Sequence, residues 1–260
     1  MPEGIEIELY RGAAEAAVGR TISSVETPDS WFIKDGLTAD QVKTVLTDQK
    51  VTGTDRIGKL LLVTLGSAPP LGLRFGMTGR IVVDGLGPID KLEYGPSSTE
   101  EKWVRFRLRF VEGGELAIHD PRRLGGVTFD PKLDDLGADL YSIDFDHFRD
   151  RVLVGKVAVK SRLLDQKRIA GVGNLICDEA LWRSALRPDR AANSLTESEK
   201  QNLFSTLKDT VRVLTERGGS HTGDLQAERH KEGRCPVDGA DLLIKKVGGR
   251  TSYFCEAHQK

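Results

Sequence analysis

Pro2, Glu3 and Glu6, at the start of the chain, carry the clearest chemistry in their types and spacing. A small second residue lets an initiator methionine be removed, which would make Pro2 terminal. A terminal proline carries a secondary amine, whereas every other backbone nitrogen is an amide without a basic lone pair. An α-amino group titrates near about 8, so a useful fraction is neutral and nucleophilic at neutral pH. Its attack on an aldehyde or a sugar C1′ gives an iminium, an electron sink. Carboxylates at Glu3 and Glu6, with Glu8 beyond, can shuttle the protons. The same letters also read as an acidic first helical turn, which suits a helix N-terminus and needs no chemistry.

Three other places offer chemistry. Lys59 follows Gly58 and precedes a Leu-rich strand; it reads as a reactive lysine or as an edge charge that blocks aggregation. Residues 167–174 contain Gly171, Gly173 and Asn174. Glycines let a phosphate approach backbone amides, and Asn174 would cap the following helix, whose N-terminus favours an anion. The other reading is an ordinary glycine turn between helices. In the tail, Cys235 and Asp238 form one x₂ pair, and after sixteen intervening residues Cys255 and His258 form another. That is zinc-ribbon spacing, or a metal-free hairpin with leftover ligand types. Cys177 sits in an apolar stretch and reads as a small buried hydrophobe.

The elements that must position these residues follow from periodicity. Residues 3–18 read as a helix closing at Gly19. Thr38 to Gln41 is a capping-box pattern opening a short helix with Val42, Val45 and Leu46. Residues 60–65, 71–75, 80–83, 103–110 and 116–118 read as strands, so an antiparallel sandwich or barrel is expected. Strand 103–110 puts Trp103, Arg105, Arg107 and Arg109 on one face, either solvated or bordering a DNA groove. Loop 120–125 holds Arg122, Arg123 and Leu124, a polar loop or a wedge that fills an opened duplex. Met77 lies in a glycine-bounded loop and reads as a third wedge or a core methionine. Beyond Phe145 the pattern turns helical. Thr196 to Glu199 is a second capping box, and Leu203, Leu207, Val211 and Leu214 share one face of its helix. Residues 242–246 and 251–254 return to strand.

The 260 residues allow one large domain or two modest ones. No apolar run is long enough to span a bilayer, and the acidic start is not a secretory signal. Three cysteines are too few for a disulfide framework and point to a reducing cytosol. Net charge is −1, yet residues 151–260 carry 20 Lys and Arg against 14 Asp and Glu, while residues 1–150 carry 18 against 25. A basic second half suggests a polyanionic partner.

Taken in order, these motifs resemble the formamidopyrimidine-DNA glycosylase / endonuclease VIII family of base-excision repair enzymes. The matching residues are Pro2, Glu3 and Glu6; Arg56 to Lys59; Gly76 to Gly79; Asp120 to Gly125; Leu164 to Asn174; Arg187 to Arg190; and Gly249 to Cys255. The resemblance implies an α+β fold. An N-terminal antiparallel β-sandwich with flanking helices would span 1–130. A helix–two-turn–helix domain would span 131–222, and a zinc-finger-like β-hairpin 223–260. It implies a monomer that bends damaged double-stranded DNA and flips out a base. Pro2 would attack C1′ and Glu3 would handle protons, with Glu6 and Lys59 beside them, and elimination would follow with Arg250 assisting. Asn174 and Arg250 would grip phosphates with Lys167 and Gly173 nearby. Met77, Arg122 and Leu124 would fill the void, and Arg123 would touch the backbone. A structural zinc would sit on Cys235, Asp238, Cys255 and His258.

The chain departs from the family in four places. Asp238 and His258 stand where the finger usually has cysteines. The family's middle-strand histidine has no match at Trp103 or Arg105. Leu124 replaces an aromatic wedge. Residues 221–224 are too few for the long loop that covers a flipped oxidised purine. That shortness, with Gly4, leans toward oxidised pyrimidines or abasic sites, whereas Met77 and residues 120–123 look like the purine branch. A damage-binding protein of the same fold with little catalysis is the alternative; the full set of Pro2, Glu3, Glu6, Lys59 and Arg250 argues against it.

Overall fold

A computed structural model of the chain describes residues 2–96 and 98–260. Pro2 with Glu6–Asp134 forms one compact unit, and Glu3–Ile5 with Asp135–Lys260 forms a second. Helix α1 (Gly4–Ala14) is shorter than the helix expected over 3–18, because Glu15–Ala17 tightens into a 3₁₀ turn before Gly19 takes φ +90°.

In the first unit, β1 (Ile22–Glu26), α2 (Ala39–Leu46), β2 (Val51–Ile57), β3 (Leu60–Leu65), β4 (Leu71–Arg74), β5 (Arg80–Val83), β6 (Val104–Phe110), β7 (Glu115–His119) and β8 (Gly126–Phe129) follow in order. They build two antiparallel four-stranded sheets, β1-β6-β7-β5 and β2-β3-β4-β8. Leu61, Val63 and Leu73 from one sheet share a core with Phe106, Leu108 and Ile118 from the other. The sandwich expected from alternating apolar residues is present. Thr38 caps α2 with the expected reciprocal box to Gln41.

Arg107 and Arg109 on the arginine face of β6 pair with glutamates from β1, β7 and the turn before β6. Arg107 is buried and bonds Glu26 at 2.9 Å and Glu101 at 2.6 Å, with Glu115 at 3.3 Å. Arg109 meets Glu26 at 2.7 Å and Glu115 at 3.1 Å. Glu26 sits opposite Arg107, and Glu115 opposite Arg109, so the pairing register itself matches the charges. Arg109 and Arg107 hold the Glu26 carboxyl below the usual carboxylate range.

In the second unit, β9 (Ala138–Asp139) and β10 (Ile169–Ala170) pair in parallel. Helix α3 (Phe145–His147) runs into a wider turn over Phe148–Val152, then come α4 (Val159–Leu164), α5 (Asn174–Arg183) and α6 (Glu197–Glu216). Helix α6 opens with the expected box between Thr196 and Glu199, and its Leu203, Leu207, Val211 and Leu214 are buried. It closes in a Schellman turn: Gly219 N–H donates to Leu214 O at 2.8 Å and Gly218 N–H to Thr215 O at 3.1 Å. A hairpin of β11 (Leu243–Val247) and β12 (Arg250–Phe254) ends the chain. Among the described residues, no helix is long and apolar enough to cross a membrane.

Candidate active site

Pro2 lines a cavity of about 210 Å³ in the first unit, together with Ile7, Lys59, Arg74, Phe75, Gly76 and Leu124. Lys59 gets there on the two-residue turn between β2 and β3, where Gly58 takes φ +57° as a tight hairpin requires. Arg56 anchors that turn: its Nη1 donates to Gly58 O at 3.2 Å and its Nε to Glu8 Oε2 at 2.9 Å. Glu8 therefore braces α1 against the turn rather than facing the cavity. Glu6 is buried in the first turn of α1. Tyr10, one turn further, is fully buried and donates to Gly79 O at 3.1 Å. Burial and the nearby Glu6 push its phenol up.

Two loops flank this cavity, and one carboxylate ties them. Asp120, wholly buried, accepts from Thr78 Oγ1 at 2.7 Å, Arg122 N at 3.2 Å and Gly125 N at 2.8 Å. Loop 75–79 thus holds Met77, half-buried, beside the loop bearing Arg122 and Leu124, both exposed. The contact is close enough that a Cβ on Gly76 would fall 2.5 Å from the Leu124 carbonyl carbon. Arg123 takes φ +57°, and its guanidinium grips Asp29 through Nε at 2.5 Å and Nη2 at 2.7 Å. That pair holds the Asp29 carboxyl below its ordinary range. Arg123 thereby anchors its loop to Asp29.

In the second unit, the N-terminus of α5 binds an anion, as its sequence suggests, but the anion is the chain's own Glu3. Glu3 Oε1 accepts from Leu175 N at 2.9 Å and Oε2 from Ile176 N at 3.1 Å. The helix dipole and two amides favour the negative charge there. Gly173 is glycine because a Cβ would stand 2.1 Å from the Glu3 carboxyl carbon. Gly4 is glycine for a similar reason: its N–H donates to Gly171 O at 2.8 Å, and a Cβ would crowd that oxygen at 3.1 Å. Asn174 does not cap the helix. It is the first helical residue, and its Nδ2 donates to Thr251 O at 3.1 Å. The carbonyl it holds belongs to the residue after Arg250, whose side chain is exposed. Lys167 forms an exposed pair with Asp135 at 2.9 Å. Cys177 is buried as expected, and burial pushes its thiol up.

Three of the four expected metal donors converge: one ligand atom each from Cys235, Asp238 and Cys255 lies within 4.8 Å of the others. Cys255 Sγ stands 3.4 and 3.5 Å from the Asp238 oxygens. A tetrahedral zinc with thiolate and carboxylate ligands has a sulfur–oxygen edge of about 3.5 Å, so these donors fit one. His258 lies outside that group. Its Nε2 meets Trp182 O, in the last turn of α5, at 2.9 Å. This is the outer bond a metal-bound histidine commonly makes, with Nδ1 as the remaining ring nitrogen.

Known proteins match this geometry along the whole chain. Residues 1–127 match the profile of the formamidopyrimidine-DNA glycosylase N-terminal domain, and residues 136–225 that of its H2TH domain. Formamidopyrimidine-DNA glycosylase of Bacillus licheniformis is 30% identical over 288 residues, covering 100% of both chains. The chain belongs to the formamidopyrimidine-DNA glycosylase family. The relative of the same name from Halalkalibacterium halodurans is 31% identical over the full length of both. The structure of Lactococcus lactis Fpg (MutM) in complex with N7-benzyl-Fapy-dG DNA superposes with a TM-score of 0.83 at 25% identity, covering 100% of each chain. Family membership bears out the resemblance and the α+β architecture read from the sequence.

Within this family site, sequence reasoning missed Arg74 and Asp120. Arg74 ends β4 as its one exposed residue and lines the cavity with Pro2 and Lys59. Its guanidinium has no hydrogen bond or ion pair among the described residues. The alternation of β4 and the adjoining loop motif could have flagged it. Asp120 was visible only as a loop letter, because its role depends on a partner loop 42 residues away.

Proposed function

We propose that this chain is a bifunctional DNA glycosylase and abasic-site lyase acting on damaged double-stranded DNA as a single cytoplasmic chain. The observation that carries the reading is the cavity where Pro2 stands with Lys59 and Arg74, on a chain of this family. The Pro2 amine, freed by loss of Met1, attacks C1′ of the flipped nucleotide; the C1′–base bond breaks and the base leaves with a proton. The amine gives up its proton, the C1′–O4′ bond breaks, O4′ takes up a proton, and the resulting ring-opened iminium acidifies C2′. Loss of that proton expels the 3′ phosphate, and a second elimination can expel the 5′ phosphate, with Arg250 assisting. Glu3 handles protons around the sugar; each of its oxygens keeps a lone pair beyond the amide bond it accepts. Glu6 supports it from the first turn. Lys59 and Arg74 offset phosphate charge at the cavity.

Met77, Arg122 and Leu124 fill the space the base leaves. Asn174 and Arg250 grip phosphates beside the lesion, with Gly173 and Lys167 at the same helix–turn–helix, and Arg123 steadies the wedge loop beside the backbone. Residues 1–130, 131–222 and 223–260 divide the labour as sandwich, helical grip and hairpin. Cys235, Asp238 and Cys255, with His258 as fourth ligand, would hold one structural zinc, which supplies hairpin rigidity rather than a chemical step. Ser220–Thr222 forms a short 3₁₀ turn, and just beyond it the Asp224 and Leu225 amides donate to Glu179. A cover for a bulky purine is hard to build from so few residues, which supports oxidised pyrimidines and abasic sites as the favoured lesions. Formamidopyrimidine, in the relatives' name, is the competing substrate.

Borohydride trapping tests the reading on duplexes bearing an abasic site, an oxidised pyrimidine or an oxidised purine. A covalent adduct is expected, most from the first two. One extra residue before Pro2 turns the amine into an amide and should abolish trapping. Undiminished trapping by that extended chain rules Pro2 out, and tight binding without any adduct makes the protein a damage binder.

A further inference from the structure

The second unit buries a lysine that the proposed chemistry does not use. Lys160 is 0% exposed in α4, between the core residues Val159 and Leu163. Its Nζ donates to Asp178 Oδ1 at 2.6 Å and to Thr251 O at 3.1 Å. The other Asp178 oxygen pairs with Arg229, which lies over the Tyr253 ring at 4.9 Å. The Thr251 carbonyl thus takes hydrogen bonds from both Lys160 and Asn174. A second observation places the hairpin tip on the same helix. Gly248, at φ +59°, sits so close to α4 that a Cβ would fall 2.7 Å from Ser161 Oγ and 3.2 Å from its Cα.

Burying a lysine and an aspartate is a poor way to gain stability, since apolar replacements often do as well. Its use lies in direction: one ammonium fixes where one carbonyl stands. We infer that Lys160, matched by Asp178, is a positioning residue that latches β12 to α4 and α5, so that Arg250 and Asn174 act as one phosphate clamp. The latch works through charge and hydrogen bonds that do not include the Cys235, Asp238 and Cys255 cluster. The inference rests on the proposed function for its ligand, and on the DNA-free protein for its geometry.

The test uses the full chain and a duplex carrying a tetrahydrofuran abasic-site analogue. Lys160→Met alone strands the buried Asp178 charge, so the working variant is Lys160→Met with Asp178→Asn, which keeps an acceptor for Arg229. It should melt cooperatively, bind the duplex at least about tenfold more weakly, and lose about one unit of salt slope, as one phosphate contact predicts. Added to Arg250→Ala, it should cost less than twofold more, because both changes remove one clamp. Amide exchange at Thr251 to Phe254 should quicken at least about tenfold without DNA. Binding within twofold of wild type, losses that multiply with those of Arg250→Ala, or unchanged exchange would each overturn the latch. If wild type does not prefer the abasic duplex, the functional reading fails instead, and exchange alone decides the latch.

Discussion

The cavity of the first unit and the α5–hairpin region of the second handle charge in opposite ways. Around Pro2, the Arg74 guanidinium is left exposed and without an ion pair among the described residues. Around α5, Lys160, Asp178 and Arg229 are buried and matched. Charge that acts on something outside the protein stays reachable and keeps its rotamer freedom. Charge that sets geometry is immobilised, and the desolvation cost is offset by partners. Glu3 belongs to both classes: it is 1% exposed and caps a helix, yet it follows the proposed nucleophile in the chain.

Glu3 is therefore the residue on which the comparison breaks most visibly. Glu3→Gln retains shape and the helix cap but cannot take up a proton in the same way. Single-turnover excision should fall at least about 100-fold while affinity for lesion DNA stays within a few-fold. Excision at the wild-type rate would leave Glu3 with a capping role alone. Gly173→Ala should reproduce the loss from the other side, because its methyl displaces the carboxylate, and it should also lower the melting temperature.

Next in size are the proposed phosphate grips, exposed Arg250 and half-buried Asn174. Arg250→Ala and Asn174→Ala should each weaken binding about tenfold and reduce the salt slope by about one, leaving the trapped fraction at saturating DNA little changed. A change in trapping without a change in affinity would place Arg250 in imine formation as well as in the elimination proposed for it.

The hairpin cluster should hold about one equivalent of zinc after gel filtration, measured by elemental analysis, and Cys235→Ser should lose it. Below about a tenth of an equivalent the hairpin is metal-free, and DNA binding should then resist chelators. Because the proposed latch shares no donor with this cluster, chelation should perturb residues 235–238 and 255–258 more than Arg250.

The smallest expected effect separates charge that only stabilises. Arg190, bonded to Glu199, is the main cause holding that carboxyl down at about 2 from an ordinary 4.5, helped by the Thr196 cap. A depressed carboxylate contributes stability above its unfolded value, and that contribution is lost as pH falls from about 4.5 toward 2. Glu199→Ala should cost about 1 kcal/mol in urea melts at pH 7 and almost nothing near pH 2, with excision unchanged.

Much of this was legible because it was local. Both capping boxes need residues three apart, and both formed. Strands with apolar alternation, such as β3 and β6, lay where expected. Strands β1, β2 and β8 were not placed from sequence; each is a sheet edge with one row of backbone groups lacking a strand partner, and in β2 only Val51 is buried. Asn174 was misread because nothing near it reveals that Glu3 already occupies the helix end. The spacing singled out His258 as a donor, but spacing cannot show that its Nε2 meets Trp182 O and leaves Nδ1 as the remaining ring nitrogen. The arginines of β6 gave the right alternation but not the glutamates opposite them.

The cap on α5 also has a consequence in time. Glu3 and the amides it holds are separated by 172 and 173 residues. During synthesis at roughly 5–20 residues per second, several seconds to half a minute pass before that helix end exists. Until then residue 3 has no partner there to fix it, and closing so long a loop adds an entropic barrier. A truncated or half-made chain therefore carries a terminal amine without an oriented carboxylate beside it. On the proposed chemistry, the Pro2 amine gains an oriented carboxylate only once α5 has been made, so base excision would begin no earlier than that.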